Sequence, residues 1–127
     1  MQQEVLDANK GLDVKVYAIW FAMYPGDVQD RWLPDALPDA RVTHYWDDGK
    51  SVGKWYGESD RIAAMQPALA PGSRGVDFPV LWDAYLVYGP EARWAEEPTD
   101  LRRWGRTVLG TQQYLREAVA AFTQGSR

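Results

Sequence analysis

Residues 80–88, VLWDAYLVY, constrain the fold more than any other stretch of the chain. Only Asp83 interrupts a run of β-branched, aromatic and aliphatic side chains that is too short for a typical helix and well suited to a pleated surface, so the run reads as a strand. Gly89-Pro90-Glu91-Ala92 supplies a turn, and residues 93–96 are expected to return as a short edge strand of a hairpin. Residues 14–22 (VKVYAIWFA) make a second such run, apolar on both faces in its later half as a central strand would be. Tyr24-Pro25-Gly26-Asp27 breaks it. Asp27 is a good N-cap for a short helix over 28–33, which Pro34 would end or kink. Residues 41–46 (RVTHYW) alternate as a half-buried strand does, with Val42, His44 and Trp46 on one face and Thr43 and Tyr45 on the other.

Two stretches read less simply. After residue 46, Asp47-Asp48-Gly49-Lys50 is a fair hairpin turn, and 51–56 would then be a returning strand. Against this, Val52, Trp55, Tyr56, Ser59, Ile62, Ala63 and Gln66 recur at helical spacing up to Pro67. The helix is the preferred reading, although Gly53 and Gly57 each weaken it by about 1 kcal/mol relative to Ala. Near the end, Leu101, Trp104, Val108, Leu115, Val119 and Phe122 fall on one stripe of an amphipathic helix, most securely over 112–122.

Composition narrows the function classes. With 127 residues, of which 46% are apolar and 25% charged, the chain is read as a single globular domain over 1–127, its residues 1–12 forming a flexible N-terminal segment. No cysteine occurs, which removes disulfide redox work, thiol nucleophiles and thiolate metal sites. A net charge of −4 argues against a nucleic-acid or anionic-membrane surface. Residues 1–10 show no secretory apolar segment and no 18 apolar residues run together, so a soluble, cytoplasmic protein is expected.

The order of elements, strand, helix, strand, helix, strand, strand, helix, resembles the thioredoxin-like fold. In that family the first central strand ends in a W-A-x-W-C-G-P-C motif. The stretch here is Trp20-Phe21-Ala22-Met23-Tyr24-Pro25-Gly26-Asp27, with Tyr24 and Asp27 where the two cysteines would stand and the Gly-Pro pair inverted. Residues 79–94 resemble the family's proline-preceded strand and hairpin. The phrases RVTHYWD and WDAYLVYGPEARW are similar to segments of uncharacterised bacterial proteins related to the family. The resemblance implies an α/β fold with a mixed central sheet flanked by helices on both faces, ordered β-α-β-α-β-β-α. Without the cysteine pair it does not imply redox activity. The rival architecture is α+β, in which 47–50 closes a hairpin and a curved antiparallel sheet wraps the C-terminal helix.

Few residues are equipped for catalysis. His44 is the one histidine and the usual proton carrier near neutral pH, although mid-strand it is more ordinarily a sheet-face residue held by one neighbour. Asp47 and Asp83 each follow a tryptophan, and if their strands are neighbours the two carboxylates could converge and raise one pKa. The plainer reading gives Asp47 to turn chemistry and Asp83 to a partner such as Arg41 or Arg93. No metal, nucleotide or other cofactor is expected, because one histidine and no cysteine leave no recognisable ligand set and no phosphate loop follows a strand. No serine stands in a nucleophile elbow.

The unusual quantity is aromatic: seven Trp, seven Tyr and three Phe. Trp20, Tyr24, Trp32, Tyr45, Trp46, Trp55 and Tyr56 are more than a small core readily hides, and such residues make interfaces and pockets. Leu101-Arg102-Arg103-Trp104-Gly105-Arg106 adds a basic, aromatic patch whose plainer reading is a solvated helix start or a salt-bridged face. The preferred expectation is a non-catalytic binding or protein-interaction module, self-associating as a homodimer or meeting another protein, with Tyr24, Asp27, Trp20, Trp46 and Tyr85 at its binding surface. The alternative is a small enzyme in which Asp83, Asp47 and His44 do acid–base work in an aromatic-lined pocket.

Overall fold

A computed structural model of the chain describes residues 5–22, 38–75, 80–93 and 98–125. These residues form a mixed α/β arrangement of two two-stranded sheets and three α-helices. The helix expected over 28–33 and the Tyr24–Asp27 turn lie outside the described residues.

Strands β1 (Val16–Trp20) and β2 (Val42–Trp46) pair in parallel, in register from Val16 opposite Val42 to Trp20 opposite Trp46. Both are rich in β-branched and aromatic residues, as a pleated surface favours. Neither strand contains a buried residue. Tyr17 and Tyr45 stand on one face, 60% and 48% exposed, with ring centroids 6.3 Å apart.

Chain direction then reverses into helix, not strand. The Asp47 carboxylate accepts the backbone N–H groups of Ser51 and Val52 at 2.9 and 2.8 Å, holding the first turn of α1 (Ser51–Tyr56), and Lys50 takes a left-handed conformation just before it. This excludes the hairpin at 47–50 on which the rival α+β architecture depended. Helix α2 (Ser59–Met65) follows after Gly57, and Pro67 sits in a 3-10 turn, Gln66–Ala68. Gly53 looks like a flaw in α1 from propensity alone. In place it is a contact surface: a Cβ there would come within 2.9 Å of the Leu81 carbonyl and of the Phe21 ring, while the Leu81 N–H donates to the Gly53 carbonyl at 2.7 Å.

The second sheet is antiparallel, β3 (Ala84–Tyr88) against β4 (Leu101–Arg106). The other flank of β4 is held by the 69–74 segment, where the Ala70 and Arg74 N–H groups donate to the Trp104 and Arg106 carbonyls at 2.8 and 2.7 Å. Helix α3 (Val108–Gly125) begins at Thr107, whose hydroxyl accepts the Gly110 N–H at 3.1 Å and whose carbonyl accepts the Thr111 N–H at 3.0 Å. The core lies between this helix and the β3–β4 sheet: Tyr85, Val87, Leu115 and Val119 pack with Ala70 and Val5. A second cluster joins Trp104, Leu81 and Met65, with the Trp104 indole N–H donating to the Met65 carbonyl at 2.7 Å.

Three expectations are corrected. The single mixed central sheet is replaced, among the described residues, by two separate ladders, one parallel and one antiparallel. The hairpin's returning strand is Leu101–Arg106, well beyond the residue 93 at which it was expected; residues 94–97 lie outside the described ones. The C-terminal helix accordingly starts at Val108 and not near 101. Leu101 and Trp104 share helical spacing with Val108 by coincidence. Pairing with β3 and burial of Trp104 at 1% exposure outweigh that local pattern, and Gly105 fits opposite Tyr85, whose hydroxyl would lie 2.8 Å from a Cβ placed there.

Residues 1–12 are where the sequence suggests a flexible segment. Within it Val5 and Leu6 are each 1% exposed, while Asp7, Ala8, Lys10 and Gly11 are exposed. Arg41, at the start of β2, gathers it. Its guanidinium donates to the carbonyls of Leu6, Asn9 and Leu12 at 2.8, 2.8 and 3.0 Å, and bidentately to the Asp39 carboxylate at 2.9 and 2.8 Å. That carboxylate raises the Arg41 pKa further above its already high value.

Candidate functional site

A cleft of about 220 Å³ opens where α1 and α2 meet the ends of β3 and β4. Trp55 and Tyr56 from the last turn of α1 form one wall, Arg61, Ala64 and Met65 from α2 with Pro67 and Ala68 form another, and Tyr88, Pro98 and Leu101 close it. Helical geometry explains the clustering, because Arg61, Ala64 and Met65 fall three and four residues apart on one face. The Tyr56 and Tyr88 hydroxyls meet at 2.6 Å, joining α1 to the end of β3. Burial pushes the Tyr56 phenol up, opposed by the Tyr88 hydrogen bond and by the nearby Arg61 charge. Trp55 stands edge-on to Tyr56 at 4.9 Å and 89°. The Arg61 guanidinium lies over the Trp55 ring at 3.5 Å from its centroid, donates to the Trp55 carbonyl and pairs with Glu58 at 2.9 Å. In a chain of net charge −4, none of the described residues that line this cleft is acidic.

The residues that sequence reasoning put forward are placed elsewhere. His44 accepts the Trp20 indole N–H on its Nδ1 at 3.0 Å, and the two rings stack across β1 and β2 with centroids 6.0 Å apart. Asp47 holds the start of α1. Asp83, in a left-handed conformation (φ 49°) just before β3, accepts the Val108 N–H at 3.2 Å and so serves the start of α3. The two carboxylates therefore work at different helix starts. Of the partners expected for Asp83, Arg41 is paired with Asp39 instead. Trp46 donates to Asp48 at 3.4 Å. Tyr85 is buried, its hydroxyl donating to the Thr111 carbonyl at 3.3 Å, and burial raises its pKa. Tyr24 and Asp27 lie outside the described residues.

The basic run 101–106 is likewise structural. Arg106 is 2% exposed, its Nε donating to the Trp82 carbonyl at 2.8 Å and its NH1 to the Gly75 carbonyl. Arg102 is bound bidentately by Asp100, which holds that carboxyl below its usual value.

Sequence reasoning noted Trp55 and Tyr56 as surplus aromatics but missed Arg61 and Tyr88. Tyr88 was absorbed into a strand, and nothing local links it to Tyr56, 32 residues away. Chemically, the cleft offers aromatic faces, two linked phenols and a guanidinium, a set suited to binding. Among the described residues no three His, Cys, Asp or Glu side chains are placed to hold a metal, and no helix is long and apolar enough to cross a membrane. No protein-family model, curated protein or solved structure matches the chain.

Proposed function

We propose that this chain is a protein-interaction domain without redox chemistry, and that the Trp55–Tyr56–Tyr88 cleft is where it holds a short segment of a partner. The observation that carries the reading is the size and character of the cleft. At about 220 Å³ it falls below the roughly 300–1,000 Å³ of pockets that enclose a small-molecule ligand, and it suits one or two side chains of a peptide. Aromatic residues with polar tips are the usual anchors of such contacts. The alternative, a small enzyme acting through Asp83, Asp47 or His44, has less support because each of these makes a structural hydrogen bond away from the cleft.

The parallel β1–β2 ladder with its crossover through 21–41, the β3–β4 hairpin and the helix behind it support a thioredoxin-like arrangement whose two halves are separated. The exposed Tyr17–Tyr45 pair is the face we assign to a homodimer, and the absence of cysteine favours a cytoplasmic setting.

Selection of a random peptide library on the immobilised protein tests the function. Enriched peptides that bind the native chain and lose binding in Tyr88→Ala support it. If only a metabolite raises the melting midpoint, by several degrees and in a manner sensitive to Asp83→Asn, the enzyme reading replaces it.

A further inference from the structure

We infer that Tyr17 and Tyr45 form a site of oxidative coupling, at which a haem peroxidase with its peroxide joins the two rings by a carbon–carbon bond and staples β1 to β2. The first ground is the register of the parallel ladder. Tyr17 lies opposite Thr43 and Tyr45 opposite Ile19, and because successive side chains alternate between faces, all four stand on one face of the sheet. The tyrosines are therefore diagonal neighbours, with ring centroids 6.3 Å apart and planes tilted by 30°. From that separation a turn of each ring about its side-chain torsions brings together the carbons that flank the hydroxyls.

The second ground is access. Among the described tyrosines only these two are exposed, Tyr17 by 60% and Tyr45 by 48%. The others are held: Tyr85 is buried with its hydroxyl on the Thr111 carbonyl, Tyr56 and Tyr88 are tied hydroxyl to hydroxyl, and Tyr114 packs against the core cluster of α3. An oxidant in solution meets the exposed pair first.

The step balances within this pair. Each phenol gives one electron to the peroxidase and its proton to water, leaving two tyrosyl radicals whose unpaired electrons are shared onto the ring carbons beside the hydroxyls. Two such carbons join, each loses its hydrogen as a proton, and each oxygen regains one, so both phenols are restored. The chain gives up two electrons and two protons, and one peroxide takes them up as two molecules of water. Because the ladder already holds the rings as neighbours, the radicals need no encounter through solution. The bond constrains the unfolded chain as a disulfide would, across two strands with no buried residue, in a sequence that has no cysteine. It forms within one chain and does not depend on the interaction reading above.

Brief treatment of the full chain with a haem peroxidase and limiting hydrogen peroxide, followed by digestion and mass spectrometry, tests the site. A monomer lighter by two hydrogen atoms is expected, with dityrosine fluorescence and a branched peptide that joins Tyr17 to Tyr45. Tyr17→Phe and Tyr45→Phe keep each ring and remove its phenol, and each should abolish the monomer's dityrosine fluorescence while leaving its circular-dichroism spectrum unchanged. No coupling at all, a branched peptide from Tyr56 and Tyr88, or fluorescence that survives both substitutions overturns the assignment. Product confined to covalently joined pairs of chains overturns it too, and speaks instead for a second copy seated on this face.

Discussion

The two ladders of this chain have nearly the same length and opposite circumstances. β3 and β4 are antiparallel, covered by α3 on one face, and contribute Tyr85, Val87 and Trp104 to the core. β1 and β2 are parallel, contain no buried residue, and expose Tyr17 and Tyr45. β1, β2 and β3 are alike in composition, aromatic and β-branched, whereas β4 carries three arginines around Trp104. Among the described residues, what separates the two ladders is the layer that α3 lays over β3 and β4; parallel pairs normally depend on being covered on both faces. Aromatic content alone therefore does not mark a core.

The contrast predicts a graded response to substitution. Trp104→Ala should have the largest effect, a loss of about 3–5 kcal/mol by denaturant unfolding, because it empties the second cluster and strips the Met65 carbonyl of its donor. A cost below about 1 kcal/mol would remove the β3–β4 region from its place as the stabilising half. Asp47→Ala lies between, at about 1 kcal/mol, since it takes away the acceptor for two N–H groups at the start of α1. Serine at Tyr17 or Tyr45 should change the stability of the monomer by no more than about 0.5 kcal/mol. A loss comparable to that of Trp104→Ala would show that the exposed ladder is covered in solution, and analytical ultracentrifugation would then decide whether a second copy covers it.

Strands and helices were legible wherever a local pattern and its burial agreed. Residues 84–88 form an unbroken apolar run whose alternate members Tyr85 and Val87 are buried, and the stripe of Val108, Leu115, Val119 and Phe122 faces one core. Leu101–Arg106 was misread because its spacing fits a helix while its partner strand lies across a long connection. Gly105 was the available hint, being a poor helix residue and a good neighbour for a bulky tyrosine. The candidate site was half legible. Trp55 and Tyr56 stood out by type, but Tyr88 and Arg61 join them only through tertiary packing. For His44 and Asp47 the hydrogen bonds match the plainer expectations, a sheet neighbour for the histidine and local backbone N–H groups for the carboxylate, whereas Asp83 accepts from the Val108 N–H where an arginine was expected.

The Arg41 clamp bears on how the two unequal halves melt. Val5 lies in the core beneath α3, while the carbonyls of Leu6, Asn9 and Leu12 are held from the first residue before β2. Opening either half releases the same N-terminal segment, so the lightly packed ladder is bound into the cooperative unit of the heavily packed one. Amide exchange in β2 should then track the global unfolding free energy rather than the modest burial of that strand, and Arg41→Ala should let the two halves exchange on separate timescales.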